Sequence, residues 1–142
     1  MSPLRVAFAL AALLATASSW AEAPIDGSWH WFRSTYNGNG WFQTNGDGTI
    51  TSSNQTVHAE LFDGASPALD RHILSGSFSK NELHVRVEDR HTDSGPYELS
   101  GRLVRTCNVG GGGFDFIVLS NGYVVLALQR ALAKSAPCSP AP

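Results

Sequence analysis

The chain has 142 residues, 42% of them hydrophobic and 15% charged, with a formal net charge of −2 at pH 7. That length suits one globular domain around a single core. Arginines spread singly along it give no basic stripe of the kind that nucleic acid or an anionic lipid surface requires, so neither is expected as a partner.

The first element is a leader. Arg5 precedes the apolar run Val6 to Ala17, and Ala21-Glu22-Ala23 (or Ser19-Trp20-Ala21) supplies the small-residue pattern of a peptidase site. The apolar run is too short to cross a bilayer. Residues 1–23 are therefore expected to be a signal peptide, 24–132 a folded domain and 133–142 an Ala/Ser/Pro-rich tail. The first cysteine is Cys107, so no lipid-attachment cysteine follows the leader. Release into a periplasm or the medium, without a membrane anchor, is the expectation.

From there Gly, Asn and Asp punctuate the chain at short intervals, and between them the apolar residues recur with period two. The first strand is expected over 27–34, and Tyr36-Asn37-Gly38-Asn39 turns it into a second over 40–44. Asn45-Gly46-Asp47-Gly48 reads as a hairpin turn with positive φ, leading to a short third strand over 49–52. Further strands are expected over 56–62, 71–78, 82–90, 97–106, 114–119 and 123–130. All are joined by hairpin-length loops. Nine candidates without a helix-length crossover make an all-β, antiparallel meander, which buries one face by closing into a small barrel of about eight strands or, alternatively, by forming a β-sandwich. The alternation supports this: Leu83, Val85 and Val87 share a face opposite His84, Arg86, Glu88 and Arg90. Matching the apolar faces while keeping like charges apart favours Arg90 opposite Glu98. Leu74-Ser75-Gly76-Ser77-Phe78 and Leu99-Ser100-Gly101-Arg102-Leu103 form a pseudo-repeat whose inward glycines mark bends or close backbone approach. Asn108 to Gly113 is a glycine-rich loop leading into a strand, so it lacks the helix terminus that cradles phosphate.

Two cysteines in an exported chain read as a disulfide, Cys107 to Cys138, pinning a tail with no core pattern of its own. In a meander the strands ending near Cys107 and Arg130 run in the same direction, so tail and cysteine emerge at one rim.

Gly27-Ser28-Trp29 at the start of the first strand, with Arg130 at the end of the last, resembles the calycin superfamily of lipocalins, fatty-acid-binding proteins and avidins. The resemblance implies that Arg130 packs across the Trp29 indole at the closed end of the barrel, a structural role for both. It carries over no ligand residues.

The aromatic cluster Trp29-His30-Trp31-Phe32, facing Trp41-Phe42 on the next strand, cannot all be core, so one or more large rings should be exposed. Trp31, Trp41 and Phe42 are the candidate contact residues for a ligand or partner. His58 with Glu60, and Asp70 with His72, place metal-ligand types on one strand face. A zinc site needs three or four convergent ligands, so these histidines are expected at the surface and no metal or cofactor is expected. No nucleophile elbow, triad neighbourhood, phosphate loop or dinucleotide fingerprint is present, and no catalytic residue is assigned. The expectation is an exported, non-enzymatic binding protein that takes a small apolar ligand in or on the barrel. The alternative is a protein-interaction module, such as a secreted or periplasmic inhibitor or immunity protein, with an exported protein as partner. A lined cavity favours the first and a filled interior with an aromatic loop surface the second.

Mass spectrometry of the exported protein under non-reducing conditions should find a chain beginning at Glu22 or Pro24 and lighter by the hydrogens lost in one disulfide. Free thiols in freshly exported protein would contradict the pairing.

Overall fold

The computed structural model describes residues 25–64, 71–89, 95–134 and 138–140. The expected signal peptide lies outside them, as do Asp70, Arg90 and half of the tail. Eight strands follow one another: β1 (Gly27–Tyr36), β2 (Trp41–Ser53), β3 (Thr56–Asp63), β4 (Arg71–Ser79), β5 (Glu82–Asp89), β6 (Tyr97–Cys107), β7 (Gly113–Ser120) and β8 (Val124–Leu132). Each pairs antiparallel with the next, and β8 pairs back onto β1 to close the barrel. No helix occurs among the described residues. Closure satisfies the backbone groups that a free sheet edge would leave unpaired. Two turns show why hairpins form here: Asn54-Gln55 and Lys80-Asn81 all take positive φ, between 49° and 67°, giving the tight two-residue connection whose twist matches that of the strands.

There are eight strands rather than nine because Asn45 to Gly48 is no turn. The chain runs straight through it in β2, with Gly46 opposite Trp31 and Gly48 opposite Trp29. Neither glycine has a positive φ. Their role is spatial: each lies beside a large indole and against the next strand, and a Cβ on Gly48 would come within 2.4 Å of the Leu61 side chain and 2.7 Å of the Glu60 carbonyl.

Alternation sorts the side chains as the sequence pattern implies. Leu83, Val85 and Val87 are buried while His84, Arg86 and Glu88 are exposed. The β5–β6 register, however, places Arg86, not Arg90, opposite Glu98, and pairs Glu82 with Arg102. Opposite charges still face one another, through a register shifted by four residues. Facing the axis, Trp31, Ala59, Leu61, Ile117, Leu119 and Leu128 are 0% exposed. A void wide enough for water would leave part of their surface accessible, so the middle of the barrel is filled.

Gly76 and Gly101 flank β5 at inward positions, opposite Val85 and Leu83. A Cβ on Gly76 would lie 1.9 Å from the His84 carbonyl oxygen, and one on Gly101 would lie 1.7 Å from that of Val118. These glycines mark close backbone approach, as the pseudo-repeat suggested. Gly101→Ala should therefore destabilise the protein by about 1 to 3 kcal/mol, the usual cost of forcing extra volume into a packed wall. Urea denaturation measures it, and an unchanged midpoint would contradict the close contact.

One end of the barrel is sealed by a polar clasp. Ile25, just before β1, is buried, and its carbonyl accepts the Trp29 indole N–H at 2.8 Å. The Arg130 guanidinium lies 4.3 Å from the Trp29 ring centroid and donates through Nη1 to the Asp26 carbonyl at 2.8 Å. This is the contact that the calycin resemblance implies. Arg130 also donates to the fully buried Asp115 carboxylate at 3.0 and 3.1 Å, while Arg105 grips the same carboxylate at 2.7 and 3.0 Å. Asp26 in turn accepts from the Ser52 N–H and hydroxyl, both at 2.6 Å. Beside the clasp the Cys107–Cys138 disulfide joins the tail to the end of β6, with the two Cα atoms 5.7 Å apart.

Burial pushes the Asp115 carboxyl up, but the hydrogen bonds and charges of Arg105 and Arg130 outweigh it and hold the group below its ordinary value. The stability it contributes is complete above the ordinary carboxylate range, about pH 4 to 5, and is lost as pH falls through its lower folded value. Asp115→Asn should remove that part of the acid dependence and cost about 2 to 4 kcal/mol, somewhat less than a fully dry pair because both guanidiniums keep a wet edge. Denaturant titrations from neutral to acid pH would show it; parallel pH profiles for the two proteins would contradict it.

Candidate functional site

At the opposite end the barrel is built quite differently. Its lip, on the β8–β1–β2 side, comes from two hairpins, Asn37–Gly40 between β1 and β2 and Asn121–Tyr123 between β7 and β8. Asn37 Oδ1 accepts the N–H groups of Asn39 and Gly40, and Asn121 Oδ1 accepts those of Tyr123 and Val124. These Asx-type bonds hold both turns without help from the core.

On that scaffold stand four exposed rings: Tyr36 at 43%, Trp41 at 54%, Phe42 at 60% and Tyr123 at 70%. Trp41 is the cross-strand partner of Tyr36, with ring centroids 5.5 Å apart. One step beyond the Thr35–Val124 pair, the Tyr36 N–H donates to the Tyr123 carbonyl at 3.0 Å. Trp41 at the start of β2, Tyr36 at the end of β1 and Tyr123 just before β8 thus form a row, spaced by about 5 Å per strand position. Phe42 pairs with Thr35, which by alternation puts it on the mouth side of the lip.

Below the lip lies a buried polar cluster. Arg33 Nη2 sits 3.0 Å from Asp89 Oδ2, His72 Nδ1 bonds the other Asp89 oxygen, and the Arg33 guanidinium lies 5.6 Å from the Tyr97 ring centroid. The Arg33 contact is coulombic, since Asp89 Oδ2 has no well-directed hydrogen bond and Arg33 Nε none at all. Burial raises the Asp89 carboxyl, yet the hydrogen bond and charge of His72, with Arg33, bring it below its ordinary value. Burial, offset in part by Arg33 and reinforced by the field of Asp89, pushes the Tyr97 phenol up to about 12. At neutral pH Tyr97 is a hydrogen-bond donor and not a nucleophile.

The sequence-predicted residues separate across these two tiers. Trp41 and Phe42 stand on the lip. Trp31 is buried, its indole N–H donating to the Phe62 carbonyl at 3.0 Å and its ring edge-on to His72 at 5.2 Å. It holds up the site and does not face it. Trp29 and Arg130 belong to the far, sealed end. His58 pairs with Glu60 on the outer wall at 3.6 Å, whereas His72 is buried and turned to Asp89, not a surface histidine. Among the described residues no group of three or more metal-ligating side chains converges. Tyr36 and Tyr123 went unrecognised in the sequence. The signal was present, since each adjoins an Asn-Gly turn beside a strand end. A second surface feature, an open groove of about 1030 Å³ on the outer wall, is bordered by Phe32, Phe62 and Phe114 and by the His30–Asp47 pair at 2.9 Å. No protein-family model and no curated protein matches the sequence.

Trp31→Ala should cost about 3 to 5 kcal/mol of stability, as large-to-small changes at buried aromatics do, while Trp41→Ala should leave the unfolding midpoint within about 0.5 kcal/mol of the parent. Thermal or urea unfolding of the two variants separates the buried ring from the exposed one. Equal losses would contradict the two-tier arrangement.

Proposed function

We propose that this is an exported, non-enzymatic binding protein whose contact surface is the aromatic lip, centred on Trp41 and Phe42 and extended by Tyr36 and Tyr123. One observation carries the reading: Trp41, Tyr36 and Tyr123 are exposed in a row on the outer face of turns that fix themselves, with Phe42 exposed on the mouth side of the same lip, at the end of a barrel whose middle has no room for a ligand. Exposing aromatic surface to water is unfavourable, and a contiguous patch of it is the usual mark of a contact site. Truncating an aromatic anchor of such a site typically costs 2 kcal/mol or more of binding. The filled interior argues for contact on the barrel and against a ligand swallowed by it, which favours the protein-interaction alternative over a small apolar ligand held inside. A calycin relation is supported by the eight-stranded meander and the Trp29–Arg130 contact. The disulfide supports an oxidising, exported location.

A small fluorescent probe with apolar rings and one sulfonate charge, anilinonaphthalene sulfonate, tests the location of the site. It should bind the native protein, and a Trp41→Ala/Phe42→Ala double variant should lose tenfold or more in affinity while His58→Ala and His84→Ala bind as the parent does. Unchanged binding by the double variant, with loss in Phe32→Ala or Phe114→Ala, would move the site to the outer groove and overturn the proposal.

A further inference from the structure

The chemistry of the lip is narrower than exposed aromatics alone. Between Arg33 and Asp47, and again between Asp115 and Arg130, the sequence has no acidic, basic or histidine residue. These two stretches are the strands and turns of the β8–β1–β2 side of the open end. Among the described residues, Arg33, the charge on β1 nearest these turns, is drawn into the barrel and paired with Asp89. What remains on the surface is rings, amides and hydroxyls: Tyr36, Trp41, Phe42 and Tyr123 beside Asn37, Asn39, Gln43 and Asn121.

Resting on the proposal that the lip is the contact surface, we infer that its ligand is a neutral saccharide chain. Ring faces carry the negative lobe of the aromatic quadrupole, and the axial C–H groups of a pyranose present partial positive charge to them over a broad apolar face. Amide and hydroxyl side chains then meet the sugar's own hydroxyls, which donate and accept in both directions. A protein partner is favoured less, because protein hot spots add Arg to Trp and Tyr, and the two stretches that form this side of the lip carry no arginine. The row geometry fits as well. Trp41, Tyr36 and Tyr123 repeat at the strand spacing of about 5 Å, close to the length of one pyranose unit in an extended chain. The Tyr36 hydroxyl is turned back to donate to the Gly38 carbonyl at 3.2 Å, which pins its ring over the turn and reduces the ordering cost of binding.

The test titrates the exported protein with neutral hexasaccharides of the cello, chito and malto series, following tryptophan emission. Trp29 and Trp31 are buried, so the change should come from Trp41, and Trp41→Phe should abolish it. At least one series is expected to saturate, with a dissociation constant of roughly 10 μM to 1 mM, the range of a shallow pre-formed surface. Calorimetry on Trp41→Ala and Tyr123→Ala should show a tenfold or greater loss for each, with native unfolding midpoints confirming their fold. If no neutral series binds while the fluorescent probe still depends on Trp41 and Phe42, the saccharide inference falls and the contact surface stands. If a saccharide binds equally to the lip variants and the parent, both fall. Equal binding of a polyanionic oligogalacturonate would overturn the preference for neutral chains.

Discussion

Closure of β8 onto β1 is the constraint on which everything else depends, and Arg130 enforces it. A meander of eight strands can lie open as a sheet, and backbone pairing alone gives it little reason to return to its starting strand rather than to another chain. Arg130 supplies a side-chain reason. It sits near the end of the last strand, stacks on the Trp29 ring of the first, reaches the Asp26 carbonyl just before it, and shares the Asp115 carboxylate with Arg105 on β6. Three strands and the incoming chain therefore converge on one guanidinium. A planar, five-donor group suits this task where a lysine would not, because stacking and forked donation occur at once.

With one end committed to closure, the other end is free to differ, and it differs in the placement of charge. At the sealed end the charged groups neutralise one another in a compact clasp. At the open end Arg33 and Asp89 are drawn beneath the lip, with His72 and Tyr97 completing their shell. Burying such a pair is costly, and hydrophobic residues of similar volume would often serve stability equally well. The pair does have a positional consequence: Arg33, His72, Asp89 and Tyr97 lie on four different strands, so their contacts fix the mouth of the barrel across its width. Trp31, edge-on to His72, connects that cluster to the filled core.

The architecture was legible in the sequence because its carriers are local. Period-two alternation in β5 and β6, the Gly-Asn punctuation and the absence of crossovers each act within a few residues, and they led to the antiparallel meander and its closure. The Trp29–Arg130 contact and the disulfide were reachable because the topology brings both pairs to one rim. What failed had the opposite character. Gly46 and Gly48 look like turn residues, and only their cross-strand neighbours, two indoles and the wall of β3, reveal that they are spacers inside one long strand. The β5–β6 register depended on loop geometry that alternation does not fix, so Arg86 took the place expected of Arg90. The polar cluster was invisible for the same reason. His72 and Asp89 are neighbours only through the β4–β5 pairing, and Arg33 reaches them from across the mouth.

The aromatic residues show how the two levels combine. Alternation required that the rings of the first hairpin divide between core and surface, but it treated Trp31, Trp41 and Phe42 as one group. The barrel distinguishes them by face and by depth: Trp31 points inward within the packed layers, where its indole N–H finds the Phe62 carbonyl, Phe42 points inward only at the rim of the mouth, and Trp41, opposite Tyr36, points outward. Neither exposed ring can be recruited to the core by a rotamer change, since the register fixes its face and the adjoining turn is held by its own Asn37 bonds. Its exposure is thus a property of the fold and not of a loosely packed loop. A rigid exposed ring loses little conformational freedom when something covers it, and that low ordering cost suits a fixed aromatic lip to the contact role proposed for it.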